Sequence, residues 1–203
     1  MNIRLLLWML LALLLAGGCR GGWTAAERDL IKNQPAVMRV LTVEDEADLV
    51  VLRTPCRDLS AREMADPLYE ELCAKLIATV TSPDQDGVGI AGTQVGLSRN
   101  VIAVQRLDKE GEPFEVYPNI RITALRGEPE PGREGCLSVP GRRGEVMRWR
   151  DIDICYTSLE TGKEVIEHVE GFTAVIFQHE TDHLQGVLYT DKLLSGEGEN
   201  QRR

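Results

Sequence analysis

Three side chains near the C-terminus have the types and spacing of a metal site. His179 and His183 stand four residues apart in "FQHETDHLQG", with Glu180 directly after the first. On a helix, residues i and i+4 share a face, about 6 Å apart along the axis. Two imidazoles so placed can reach one ion, and a glutamate beside them can take a proton from attacking water. The pattern HExxH is specific only with a third ligand. After His183 come Asp191 and the glutamates of the tail, but no histidine. Upstream, Cys136 lies in "REGCLSVPG", between Gly135 and Leu137. A thiolate suits zinc or ferrous iron, whereas a lone free cysteine is more often a small buried apolar residue. The flanking glycine and the turn-like Pro140-Gly141 leave both readings open.

A third stretch, "GVGIAGTQVG", sets an amide, Gln94, in a glycine-rich turn. No Lys-Ser/Thr follows it, which argues against a P-loop. Gly87, Gly89 and Gly92 have the spacing of the dinucleotide fingerprint, but a helical pattern rather than a strand precedes them.

Taken in order, the three stretches resemble the three motifs of peptide deformylases: GxGxAAxQ, EGCLS and QHExDH. The resemblance runs from about Val51 to Leu194, and includes "VPG" after the second motif and "HLQGVLYTDKL" after the third. Gly92 departs from it, standing where the family usually has alanine, and is expected to add backbone freedom near Gln94. The resemblance implies that Cys136, His179 and His183 hold one divalent ion, Fe(II) in the family with Zn(II) as an alternative. It implies Glu180 as general base, with the Gln94 side chain and the Leu137 backbone N–H donating to the developing oxyanion. It lays the substrate along Val88 and Gly89 as an added strand. The implied reaction removes the formyl group from N-formylmethionyl peptides or nascent chains and releases formate; a monomer is expected. Deformylases also carry an arginine twelve residues after the motif cysteine, which is Arg148, and an ion pair with Asp182 is expected to tie the ligand helix to the Cys136 strand. Two rival readings are a surface-anchored metallopeptidase of different specificity and a non-catalytic binding lipoprotein.

Several elements must position these groups. Phe172, Val175, Ile176 and Leu184 recur at helical spacing between Gly171 and Gly186, which puts both histidines on one helix near its core face. Asp66-Pro67 opens another helix, whose stripe Leu68, Leu72, Leu76 and Val80 reads as core packing. "NVIAVQ", "FEVY", "DIDICYT" and "KEVIEHV" read as strands, the last two alternating like half-buried antiparallel ones. His168 falls in the last and reads as an exposed strand histidine. "RGEPEPGREG", before Cys136, reads as a loop. The predicted class is therefore α+β: a single domain with antiparallel or mixed strands and a C-terminal helix carrying metal ligands.

Composition agrees. A chain of 203 residues, 43% hydrophobic and 27% charged, suits one globular domain with its own core. Its net charge of -9 argues against nucleic acid as a partner. The locally basic "RRGEVMRWR" reads either as a strand with a solvated face or as one wall of a peptide groove.

The N-terminus is a separate matter. Arg4 precedes twelve apolar residues, Leu5 to Ala16, too few for a membrane span but suited to a signal peptide. "LAGGC" resembles the lipobox of bacterial lipoproteins, with Cys19 as the lipidated residue. Residues 1–18 then read as a signal peptide, 19–50 as a lipidated tether and N-terminal extension, 51–194 as the deformylase-like domain and 195–203 as a disordered tail. Within the extension, Thr24 and Glu27 have capping-box spacing and predict a short helix. A membrane anchor on the extracytoplasmic side is expected, or the cytoplasm if the start or signal is misread, since deformylases normally act there on nascent chains. Cys56, Cys73 and Cys155 lack the spacing of a disulfide framework and read as buried thiols.

Overall fold

The computed structural model describes residues 21–194. The signal-like stretch, Cys19 and the polar tail lie outside the described residues. Among those described, no helix is long and apolar enough to cross a membrane.

Four helices come first. α1 (Ala25–Asn33) starts at the Thr24/Glu27 capping box, each side chain accepting the other's backbone N–H. α2 (Glu46–Leu52) is capped by Asp45, and α3 (Ala61–Met64) by a second capping box, Ser60/Glu63. α4 (Pro67–Val80) has Asp66 as its cap and Pro67 at its first position, where a missing N–H costs nothing. Its stripe Leu68, Leu72, Leu76 and Val80 is buried as expected.

The first sheet has the order β1 (Gly89–Ala91), β2 (Val101–Gln105), β3 (Phe114–Pro118), all antiparallel. β2 is buried on both faces. Val101 and Ala103 join the cluster that includes Leu72 and Leu76 of α4, while Ile102 and Val104 join the one holding Ile176 and Phe177. Side chains alternate along a strand, so this short run of four apolar residues welds two cores together. β1 lies at the sheet edge.

The rest completes the α+β domain. β4 (Arg121–Arg126), β7 (Asp151–Thr157) and β8 (Glu164–Glu170) form a second antiparallel sheet. β5 (Glu130–Cys136) and β6 (Val139–Arg148) form a separate hairpin. α5 (Gly171–Leu184) passes between the sheets; Ala174, Ile176, Phe177 and Leu184 on it are buried.

Two segments differ from the sequence reading. The run before Cys136 is not a loop from end to end, because β5 begins at Glu130. Pro131 and Gly132 are tolerated since this two-stranded hairpin is a sheet of edges, and β6 supplies the pairing. The stretch from Gly21 to Leu52, read as part of a tether and N-terminal extension, packs onto the core: Trp23, Ile31, Met38, Leu41 and Leu52 are all buried.

Candidate active site

Cys136 ends β5, and His179 and His183 lie one turn apart on α5. The Cys136 sulfur is 3.2 Å from His183 Nε2, and one donor atom from each of the three residues lies within 4.8 Å of the others. A thiol and two imidazoles fit zinc or ferrous iron, with room for water as a fourth ligand. The orphaned groups around them point the same way. His183 Nδ1 and Glu180 Oε2 are buried with no protein hydrogen-bond partner, a cost that an interior tolerates where chemistry uses the group. Asp151, His168 and Glu170 form another cluster of metal-binding types, but it is on the exposed face of β7 and β8. There the Arg126 guanidinium already bonds Asp151 and Asp153 and stands 3.3 Å from His168.

His179 is held from behind. Its Nδ1 donates to Glu134 Oε2 at 2.7 Å, which leaves Nε2 to face the other donors. Glu134 in turn accepts a forked pair of hydrogen bonds from Arg148, at 2.8 and 3.1 Å. Arg148 also donates to Asp182 at 2.6 Å, so the expected ion pair is present and is buried at the arginine. Burial alone would raise the Glu134 carboxyl, but the bonds from His179 and Arg148 outweigh it and hold it down at about 2. Burial also lowers His179, yet its bonds with Cys136 and Glu134 prevail and hold it well above the ordinary imidazole range. For His183 burial prevails, reinforced by the charge on His179, and keeps it well below that range.

Glu180 faces β1. A Cβ on Gly89 would meet Glu180 Oε1 at 2.5 Å and Ile176 Cγ2 at 2.8 Å, so only glycine leaves room for the carboxylate. Burial pushes the Glu180 carboxyl up to about 7. Gln94 comes from the 3₁₀ turn after β1 (Gly92–Val95). Its Oε1 accepts the Ala91 N–H at 2.8 Å, which turns Nε2 toward Ser138 Oγ at 3.2 Å and the Cys136 sulfur at 3.6 Å. Gly92 does not supply freedom. It is packed tightly, and a Cβ there would lie 2.9 Å from the Leu97 carbonyl oxygen. Leu137 and Ser138 make the β5–β6 turn beside Cys136. Val88, Gly89, Gln94, Cys136, Leu137, His179 and Glu180 all line one cavity of about 630 Å³. His183 lies beneath its floor, buried.

The model of the family described as polypeptide deformylase matches residues 37–198. The chain belongs to the polypeptide deformylase family. The peptide deformylase of Desulforudis audaxviator is 41% identical over 142 residues, 70% of this chain and 86% of that one. The fold is similar to that of the crystal structure of peptide deformylase from Thermotoga maritima, with a TM-score of 0.67 at 31% identity, over 78% of this chain and 98% of that one. It is equally similar to a class I type b peptide deformylase from Acinetobacter baumannii with Met-Ala-Ser bound, with a TM-score of 0.67 at 32% identity, over 77% and 98%.

Within that family frame, two residues escaped the sequence reading. Glu134 stands two before Cys136, and on a strand that spacing points both side chains to one face. This signal was hidden because the segment read as loop. Ser138 shares the turn with Leu137, and nothing in its local sequence marks it as the partner of Gln94.

Proposed function

We propose that Cys136, His179 and His183 hold one divalent ion, and that the chain uses it to hydrolyse the formyl group from N-formylmethionyl peptides. The observation that carries this is the convergence of three soft and borderline donors, a buried unpartnered carboxylate and an oriented amide on one cavity. When bound, the ion acidifies water and polarises the formyl carbonyl. Glu180 takes the proton from the attacking water and returns it to the leaving amine. The Gln94 amide, locked by the Ala91 N–H, and the Leu137 backbone N–H donate to the oxygen that gains charge. β1 is an edge strand, and Val88 and Gly89 lie along the cavity, so the peptide can add to its free edge. The ion is ferrous iron, with zinc as the alternative that the same donors accept.

Formate release from a formylated methionyl peptide, against its unformylated counterpart, tests the reaction. Glu180→Ala should keep the metal and lose nearly all turnover, because the ligand set survives and the proton acceptor does not. Cys136→Ala should lose metal as well. Near wild-type activity in Glu180→Ala would overturn the mechanism.

We further infer from the lipobox-like "LAGGC" that the chain is exported and anchored through lipid on Cys19. Cys19→Ser should then leave the membrane fraction, and unchanged partitioning would refute the anchor.

A further inference from the structure

Arginines elsewhere on the surface are paired, Arg62 excepted: Arg28 with Asp66, Arg39 with Asp48, Arg53 with Asp191 and Arg121 with Asp58. Arg133, Arg142 and Arg143 are not. All three are exposed, and among the described residues no carboxylate lies within ion-pairing distance of them. All three line the cavity that holds Cys136 and Glu180. Apart from Arg62, the described arginines without an ion pair gather on this one cavity, in a chain of net charge -9.

The hairpin explains their grouping. The β5–β6 register jumps from Gly135 opposite Arg143 to Cys136 opposite Val139, so the intervening residues protrude from the ladder and carry Arg142 outward. The stem of Arg143 runs over Gly135, next to the ligand cysteine. Arg133 lies two residues before Gly135 on the same strand, with Glu145 opposite it in the ladder tempering its field. Three arginines against that one glutamate leave the wall positive. Asp86 and Gln85 also line the cavity, so one more carboxylate stands against the three arginines. Glu134 and Glu180 also line the cavity, but the first is committed to His179 and Arg148 and the second faces Gly89.

Resting on the function proposed above, we propose that this arginine wall is a subsite for anionic side chains. It makes the enzyme favour N-formylmethionyl peptides that carry an aspartate or glutamate within the few residues after methionine. The formyl end is fixed at Cys136 and Glu180, and an extended chain advances about 3.3 Å per residue, so the next side chains reach the cavity rim. An arginine fork matches a carboxylate in geometry as well as charge. The contacts are solvent-exposed, so they tune selection among substrates rather than create binding, and salt weakens them.

The test is a set of formyl-Met-Ala peptides that differ only in carrying Glu, Gln or Lys at the third and fourth positions, with kcat/KM measured at low and at ~0.5 M salt. The expected order is Glu above Gln above Lys, spanning roughly threefold to tenfold, the size of a few exposed ion pairs, and narrowing in salt. R142E should shrink the span and the R142E/R143E pair should invert it. Calorimetric binding of the corresponding unformylated peptides reads the same order even without turnover. A charge order in binding with no formate released from any peptide would therefore overturn the reaction but support the subsite. Equal values for the three peptides, or an order unmoved in the double variant, would overturn the subsite. A flat peptide series together with loss of binding to phosphatidylglycerol vesicles in the double variant would also overturn it, and would assign the arginines to a membrane surface.

Discussion

Arg99 and Arg148 solve the same physical problem in two places. Arg99 forks onto Glu27 at 2.6 and 2.8 Å and faces Glu63 at 2.7 Å. Arg148 forks onto Glu134 and donates singly to Asp182. Both guanidinium groups are buried, and in each cluster two carboxylates offset a desolvation cost of several kcal/mol. The difference lies in what the carboxylates touch next. Glu27 is the capping glutamate of α1, and the Trp23 ring lies against Arg99 at 5.2 Å, so that cluster pins the N-terminal segment to the core. Glu134 continues to His179 Nδ1, and Asp182 adjoins His183, so the other cluster aims the histidines proposed to hold the metal. A buried charge network is thus not by itself a mark of function; its outermost hydrogen bond decides.

The largest effect expected from breaking this comparison is in Arg148→Met. It leaves Glu134 and Asp182 without their shared buried partner, a loss of about 3–5 kcal/mol of stability. It also frees Glu134 to move, so metal affinity should fall about 10- to 100-fold, as when other outer partners of ligand histidines are lost. Denaturant melts and metal titration of the same variant read the two effects separately. Metal affinity equal to that of the wild type would reduce Arg148 to a structural role like that of Arg99.

Arg99→Met should cost a similar about 3–5 kcal/mol, because Glu63 is buried and loses its short contact. Metal affinity and kcat/KM should stay near wild type in the folded fraction. Early hydrogen exchange in α1 would show where the stability was lost. A parallel loss of metal affinity would mean that the N-terminal segment also shapes the site, and the contrast between the clusters would fail.

That contrast marks the limit of what the sequence discloses. α4 and α5 were legible because Leu68, Leu72, Leu76 and Val80, and Val175, Ile176 and Leu184, repeat at helical spacing, and a local period survives whatever packs on it. β7 and β8 were legible from alternation, which persists because one face is core and the other solvent. Cys136, His179 and His183 needed the order of three motifs; spacing alone left the cysteine open. The Arg99–Glu27 contact joins residues 72 apart, and His179–Glu134 joins residues 45 apart, so no local pattern announces either. β5 was missed because Pro131 and Gly132 are loop signals, and only pairing with β6 overrides them. The docking of the N-terminal segment was missed for a related reason. Trp23, Met38 and Leu41 are spread too irregularly to show a period, although each is buried.

The smallest effect sharpens the comparison at its edge. Asp182 accepts from a second cation, Lys192 Nζ, at 2.7 Å to each oxygen. That pair copies the geometry of the Arg148 contact but not its setting, for the Lys192 side chain is 42% exposed where that of Arg148 is 4%. Water solvates the ammonium in the folded and unfolded states alike, and the flexible stem loses entropy on pairing. Lys192→Ala should therefore cost at most about 1 kcal/mol and leave metal affinity unchanged. A double-mutant cycle with Asp182→Asn separates the contributions. Coupling of Asp182 to Arg148 should exceed its coupling to Lys192 severalfold, and only the former should appear in metal retention. Equal couplings would show that burial does not rank these contacts. The orientation of His179 through Glu134 would then need a cause other than Arg148.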